Sequence, residues 1–240
     1  MKAMIFAAGL GTRLRPLTDQ LPKALVKVGE KPLLQRVIET LSKAGCREIV
    51  VNLHHFPHLI REFLKTHPFP GITLHLSDES DMLLDTGGGM MKAAPFLRGS
   101  EPVILHNVDI LSDLDLGVLV GYHLSRQALA TLVVRERNTQ RYLLFNEEMR
   151  LKGWKNRSTG EIRYVSPSVS GGSFPLAFSG IHVIDPAIFD LTIRTGKFSI
   201  IDLYLELAGT HRVFGFKDQS ALWVDAGTCE SVERASRMFH

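Results

Sequence analysis

Cysteine is scarce in this chain of 240 residues, and the two present, Cys46 and Cys229, lie far apart with no second cysteine near either. That excludes a disulfide framework and a cysteine zinc site, which both need recognisable spacings, and leaves reduced thiols as the expectation. An excess of one charge is lacking too, since 28 Lys and Arg face 25 Asp and Glu for a formal net charge of +3. Three surplus charges make no stripe for DNA or RNA, so no nucleic-acid partner is expected, but they suit a polyanion as small as a nucleoside triphosphate. No apolar run approaches the ~20 residues of a membrane span. Met1-Lys2 and the apolar run Ala3–Leu10 superficially resemble a signal peptide, yet Arg13 and Arg15 follow at once and no small-residue cleavage site comes after a full apolar region. A cytoplasmic protein with no membrane partner is therefore expected.

The chain is not short of core-forming residues. It is 45% hydrophobic and 22% charged, with 20 Gly and 11 Pro, which excludes a disordered or fibrous chain. A polypeptide this long buries roughly 70–75% of its unfolded surface, enough for one core without staples. One domain spanning residues 1–240 is the expectation.

Short apolar runs alternate with helical periods. Lys2–Ala8 reads as a buried strand emptying into glycines. Pro32 opens a helix with Leu33, Leu34, Val37, Ile38 and Leu41 on one face, closed by Gly45. Strands follow at Glu48–Leu53, Ile72–Leu76, Val103–Val108 and Ala128–Val134, separated by helices at Pro57–Lys65, after Gly87-Gly88-Gly89, and around Leu116–Leu124. This alternation predicts an α/β fold, a single Rossmann-like three-layer domain with a mostly parallel central sheet. From about 135 to 175 the rhythm shortens into a small β-hairpin insertion, in which Ser170-Gly171-Gly172-Ser173 reads as a mobile joint. A strand at Leu176–Ile184, helices at Pro186–Leu191 and Ser199–Leu207, strands at Arg212–Phe216 and Ala221–Val224, and a last helix capped by Thr228 complete the pattern.

The chemistry concentrates in Ala7-Ala8-Gly9-Leu10-Gly11-Thr12-Arg13-Leu14-Arg15-Pro16-Leu17-Thr18, followed by Pro22-Lys23. Backbone N–H groups of a glycine turn approach phosphate oxygens closely, and guanidinium groups match them in a bidentate way. Two rival phosphate loops fail on inspection. The dinucleotide fingerprint needs a third glycine where Leu14 stands, and the P-loop needs a Gly-Lys-Ser/Thr that is absent. Two further apolar strands end in carboxylates, at Asp109 and at Asp225. Ligands gather at the carboxyl ends of strands in open α/β sheets, so both acids are expected to meet there as Mg²⁺ ligands over a triphosphate.

Gly9–Thr18 followed by Pro22-Lys23 resembles the sugar-1-phosphate nucleotidyltransferase family, whose pattern begins G-x-G-T-R and ends at P-K. Leu84–Gly89, Asn107–Asp109, Phe178–Ile181 and Trp223–Asp225 are similar to its short single-domain branch, the one containing N-acetylmuramate-1-phosphate uridylyltransferase. The resemblance runs from Met1 to about Glu233. It implies transfer of a nucleotidyl group from a nucleoside triphosphate to a sugar 1-phosphate with release of pyrophosphate, for a cell-wall or surface polysaccharide. It also implies roles: Mg²⁺ on Asp109 and Asp225, Arg13 on the leaving pyrophosphate, and Lys23 on the α-phosphate or the sugar phosphate. The backbone at Ala8, Gly9, Gly11 and Thr12 would line the nucleotide, and that of Thr86, Gly87 and Gly88 the base. Asn107, Ser179 and Gly180 fall on the sugar side under the hairpin insertion, with Glu79 a further candidate there. The family has Gly or Ala where Val108 stands, which implies a narrower sugar side. Uridine is the base favoured by the resemblance, with guanosine and cytidine open; the sugar and the oligomeric state are not legible.

Two rival functions remain in view. Asp113-Leu114-Asp115 matches the DxD of metal-dependent glycosyltransferases, though the same residues also read as a helix cap, and a non-catalytic nucleotide-sensing subunit would keep the loop without the acids. His54, His55 and His58 are interrupted by Pro57 and are not expected to bind metal. Trp154 reads either as a stacking platform or as a packed hairpin residue.

Overall fold

The computed structural model describes residues 1–166 and 172–238. The first strand, β1 (Lys2–Phe6), leads into 3₁₀ turns at Thr12–Leu14, Leu17–Asp19 and Lys23–Leu25, then a small ribbon of β2 (Lys27–Val28) and β3 (Lys31–Pro32). Helix α1 (Leu33–Lys43) buries Leu33, Leu34, Val37, Ile38 and Leu41, the face its period predicts. Pro32 stands one position earlier than expected, as the N-cap. Gly45, at φ 89°, ends the helix: its N–H donates to the Ser42 carbonyl and that of Cys46 to the Leu41 carbonyl, each at 3.0 Å.

Alternation continues with β4 (Glu48–Leu53), α2 (Pro57–Thr66), β5 (Thr73–Asp78), α3 (Asp85–Leu97), β6 (Val103–Asn107), β7 (Ile110–Ser112), α4 (Leu116–Ser125) and β8 (Ala130–Arg135). The triple glycine lies inside the first turns of α3 rather than ahead of it. The insertion forms β9 (Arg141–Phe145), β10 (Leu151–Asn156) and β11 (Ile162–Tyr164). Of the glycine–serine joint expected there, Ser170 and Gly171 lie outside the described residues. The chain returns through β12 (Phe174–Ile184), α5 (Ile200–Leu207), β13 (Val213–Lys217), β14 (Trp223–Asp225) and α6 (Cys229–Met238). The helix expected after Pro186 is a 3₁₀ turn, Pro186–Asp190. Thr228 caps α6 as its sequence suggests, accepting from the Ser231 N–H at 3.2 Å.

Strand order in the main sheet is β5-β4-β1-β6-β12-β8-β13. The pairs β1–β4, β1–β6, β4–β5 and β8–β13 are parallel, and β12 runs against β6 and β8, so the sheet is mostly parallel. Side chains alternate across it. Ala3 and Ile5 join the core under α1, α4 and α6, while Met4 and Phe6 join the one under α3 and α5. The product is the three-layer α/β domain the alternation implies. Strand β12 belongs to both parts of the molecule. Phe174–Leu176 pair with β9, Ile181–Ile184 with β6, and the register with β8 slips between Phe178 and His182. That irregular middle delivers Ser179 and Gly180 to the carboxyl end of β6.

Three histidines are sealed in this framework. His182 shares a 2.6 Å hydrogen bond with the Tyr204 hydroxyl, inside a ring cluster with Phe6 and Phe178. His106 meets the Asn107 carbonyl at 2.8 Å, and His123 meets the Thr131 hydroxyl at 3.0 Å. Burial lowers them from 6.5 to about 3 for His182, where the charge of His106 adds to the effect, and to about 4 for His106 and His123. The folded state keeps these rings neutral while the unfolded chain protonates them, so the unfolded chain binds more protons between about pH 6.5 and 4. Their contribution is complete above that window and is lost as pH falls through it. By pH 5 the loss is on the order of 2 kcal/mol per histidine. Urea unfolding at pH 7.5 and 5.0 should show this drop, and His182→Gln should flatten the dependence by about one proton; an unchanged slope would contradict it.

Candidate active site

The loop after β1 is pinned before it reaches its arginines. The N–H groups of Ala7 and Ala8 donate to Asn52 Oδ1 on β4 at 2.6 and 3.2 Å. Gly11 then turns at φ 65°, where a Cβ would stand 2.8 Å from Thr18 Cγ2. Its carbonyl receives both the Leu14 N–H and the Thr18 hydroxyl at 2.8 Å. Leu14 and Thr18 are buried, so the loop folds onto its own apolar residues and turns Arg13 and Arg15 outward. Their fates differ. Arg15 pairs at the surface with Asp19, whereas Arg13 Nη2 lies 3.9 Å from Asp225 Oδ1. A side chain on Gly227 would come within 2.5 Å of that guanidinium nitrogen, so the glycine there leaves room for the pair.

Lys23, at the start of its 3₁₀ turn, is ion-paired with Asp109. Asp109 follows β6 and stands just before β7, and β7 pairs antiparallel with β14, with Asp225 opposite Ile110. The Ala226 N–H donates to the Asp109 carbonyl at 2.8 Å. This ribbon brings together two acids from opposite halves of the chain. The Asp225 carboxyl is raised above its usual range by burial first and by the negative charge of Asp109 second. Arg13, Lys23 and the Gly227 N–H, 2.9 Å from its Oδ1, work in the other direction. The two acids are thus close enough to repel each other.

Beside them opens a cleft of about 370 Å³, lined by Ala8, Gly9 and Lys23, by Leu83, Asp85 and Thr86, and by Asn107, Asp109 and Lys197. Gly87 and Gly88 do not present free amides to it, because both N–H groups donate to the Phe198 carbonyl, at 2.9 and 3.3 Å. Their lack of side chains admits that segment: a Cβ on Gly88 would lie 2.1 Å from the Gly196 carbonyl oxygen. Thr86 faces the cleft with its hydroxyl accepting from the Ile200 N–H at 3.0 Å. Glu79 is buried and also lines the cleft. Its carboxylate accepts from Asn52 Nδ2 at 2.7 Å and from the Leu84 N–H at 3.1 Å, tying the loop after β1 to the start of α3.

Asn107 lines the cleft, and Gly180, at φ 80°, packs so closely that a Cβ would lie 3.0 Å from Asn107 Nδ2. Ser179 is fully buried, its carbonyl accepting from Trp223 Nε1 at 3.1 Å. Val108 points into the core, so it does not narrow the sugar side as its departure from the family pattern implied. Asp115 caps α4 through the Gly117 and Val118 N–H groups, and Asp113 accepts from the Leu222 N–H at 2.9 Å. Neither lines the cleft, which removes the structural basis for the DxD reading. His54 meets the Glu79 carbonyl at 2.7 Å and His55 the Thr18 carbonyl at 3.3 Å. Among the described residues no group of three His, Cys, Asp or Glu side chains is placed to hold a metal. Trp154 is stacked under Arg163, 4.3 Å away, which itself pairs with Asp202 at 2.7 Å.

Sequence reasoning missed Asn52, Asp85 and Lys197. Asn52 had a signal, being a side chain capable of several hydrogen bonds set within the apolar run Ile49–Leu53. Lys197 had none, because only the path of the chain into α5 brings it to the cleft.

The Nucleotidyl transferase family model matches residues 2–153. The chain is 34% identical over 241 residues to N-acetylmuramate alpha-1-phosphate uridylyltransferase of Neisseria meningitidis, covering 99% of this chain and 98% of that one. It is 33% identical over 232 residues to the protein of the same name from Caulobacter vibrioides, covering 94% and 91%. The fold matches UDP-glucose pyrophosphorylase from Acinetobacter baumannii with a TM-score of 0.81 at 19% identity, over 99% of this chain and 92% of that one. The structural likeness shows the fold, and the family model with the two full-length relatives shows that this chain belongs to the nucleotidyl transferase family.

Proposed function

We propose that this enzyme transfers a nucleotidyl group from a nucleoside triphosphate to a sugar 1-phosphate, releasing pyrophosphate and a nucleotide sugar. The observation that carries this reading is the cluster of Arg13, Lys23, Asp109 and Asp225, of which Lys23 and Asp109 line the cleft while Asp225 joins Asp109 through the β7–β14 ribbon and Arg13 approaches Asp225. An oxygen of the sugar phosphate, already ionised at neutral pH, bonds to the α-phosphorus. The bond from that phosphorus to the bridging oxygen breaks, and its electron pair leaves with pyrophosphate. No general base is required, so positioning and charge neutralisation supply the catalysis. Arg13 holds the departing pyrophosphate and Lys23 the α-phosphate or the sugar phosphate. The backbone of Ala8, Gly9, Gly11 and Thr12 lines the nucleotide, and Thr86 lies at the base end with Gly87 and Gly88 behind it. Asn107, Ser179 and Gly180 shape the sugar side, Ser179 from within the fold.

The acid pair fits a divalent cation. Two carboxylates on one short ribbon, that of Asp225 raised above its usual range by burial first and by the charge of Asp109 second, are hard oxygen donors whose charge such an ion relieves. Asp109 and Asp225 would hold Mg²⁺, which supplies neutralisation of the phosphates when bound. UTP and N-acetylmuramate 1-phosphate are the pair we infer first, from the full-length likeness to two uridylyltransferases acting on that sugar phosphate. Guanosine and cytidine triphosphates remain to be compared. We assign the reaction to the cytoplasm, where nucleoside triphosphates are made, as a step toward a cell-wall or surface polysaccharide. No helix among the described residues is long and apolar enough to cross a membrane.

Incubation with Mg²⁺, each triphosphate and a panel of sugar 1-phosphates should release pyrophosphate in at least one combination, and silence across the panel would overturn the reading. Asp109→Asn and Asp225→Asn should each abolish turnover while the protein stays folded, because backbone hydrogen bonds hold the β7–β14 ribbon; Tm should fall more for Asp109→Asn, which leaves Lys23 without its ion-pair partner, and unfolding would make the role structural. Arg13→Ala should lower kcat roughly 10²–10³-fold, the usual loss for one preorganised stabilising donor. A normal rate would remove Arg13 from the mechanism.

A further inference from the structure

Arg137 is a cation the mechanism has not used. It follows β8 where the chain enters the insertion. Its guanidinium lies 4.8 Å from the centre of the Trp223 ring, and its Nη2 donates to the Phe178 carbonyl at 2.9 Å. Those contacts fix it between the strand that delivers Ser179 and Gly180 and the strand that ends in Asp225. Its Nε is buried without a partner, and among the described residues Nη1 donates to no acceptor and no carboxylate forms an ion pair with it. Neighbouring Arg135 is different, being committed to Asp218 at 3.2 Å and to the Ser220 carbonyl at 3.1 Å. The charged and titratable groups acting on Arg137 are Asp225, Tyr142 and Arg135, and burial weighs most, against its charge. A half-buried guanidinium with spare donors, set between those two strands and lacking a carboxylate of its own, is arranged to receive an oxyanion.

We propose that Arg137 binds the phosphate of the incoming sugar 1-phosphate and holds it next to Asp225 for attack. This rests on the functional reading above and adds to it a division of labour. Arg13 serves the triphosphate end, and Arg137 serves the acceptor. Stacking on Trp223 keeps the planar fork in one orientation, so little side-chain freedom is lost when the acceptor binds. The competing role is that of a prop, with Arg137 merely supporting Trp223 and through it Asp225.

Steady-state kinetics with UTP, Mg²⁺ and N-acetylmuramate 1-phosphate, or whichever acceptor of the panel the wild type uses, separate the two. Arg137→Met keeps an apolar chain against Trp223 and removes the charge. It should raise KM for the acceptor about 10–100-fold, the worth of a lost charge-assisted contact, and leave KM for UTP within about twofold. Arg137→Lys keeps the charge without the fork and should raise the acceptor KM about 3–10-fold, which tests the proposal even if the Met variant does not fold. Trp223 emission, read in a Trp154→Phe background, should respond to the acceptor in the wild-type arginine context and lose that response in the Met variant. An unchanged acceptor KM, or an equal rise in both KM values, would overturn the proposal while turnover itself stands. A wild-type protein that releases no pyrophosphate with any acceptor would overturn the functional reading, and this inference with it.

Discussion

The placement of Asp109 and Asp225 at one short ribbon, each faced by a cation, is the constraint around which the rest of the candidate site is arranged. Two carboxylates do not stay together unaided, and here the antiparallel pairing of β7 with β14 imposes their proximity. Lys23 offsets the charge on one side through its ion pair with Asp109, and Arg13 approaches from the other. The arrangement is held by backbone hydrogen bonds that make no use of the carboxylates, such as that from Ala226 to the Asp109 carbonyl. The framework therefore keeps two acids together without relying on their side chains, a common division between scaffold stability and site electrostatics.

A second device joins the cleft to the insertion. Strand β12 pairs with β9 at its start and with β6 at its end, and the irregular register between holds Phe178, Ser179 and Gly180 against the carboxyl end of β6. Gly180 at positive φ permits that approach, because any side chain there would strike Ile110. The Phe178 carbonyl receives Arg137 and the Ser179 carbonyl receives Trp223. One irregular strand segment thus orders side chains from β14 and from the entry to the insertion.

The Asn52–Glu79 pair does the equivalent beside the loop after β1. Asn52 receives the N–H groups of Ala7 and Ala8 while donating to Glu79, which in turn receives the Leu84 N–H. A buried carboxylate is tolerable here because it is hydrogen-bonded on both oxygens. The sequence offered Glu79 as a cleft acid, and it does line the cleft. Its neighbours make it the clasp between two loops.

Local order was written in the sequence. The face of α1, the Gly45 terminator, the Thr228 cap and the strand at Glu48–Leu53 follow from periods and end signals that act over a few residues, and so does the turn of the glycine–arginine loop at Gly11. The family pattern was legible there for the same reason, being carried by short motifs. Tertiary structure decided which of these distant pieces meet. The burial of Val108, the engagement of the Gly87 and Gly88 amides by Phe198, the stacking of Arg137 on Trp223 and the arrival of Lys197 at the cleft all depend on strand register and crossover paths. Those are set by the summed packing of the two cores, and no short stretch of residues encodes such a sum.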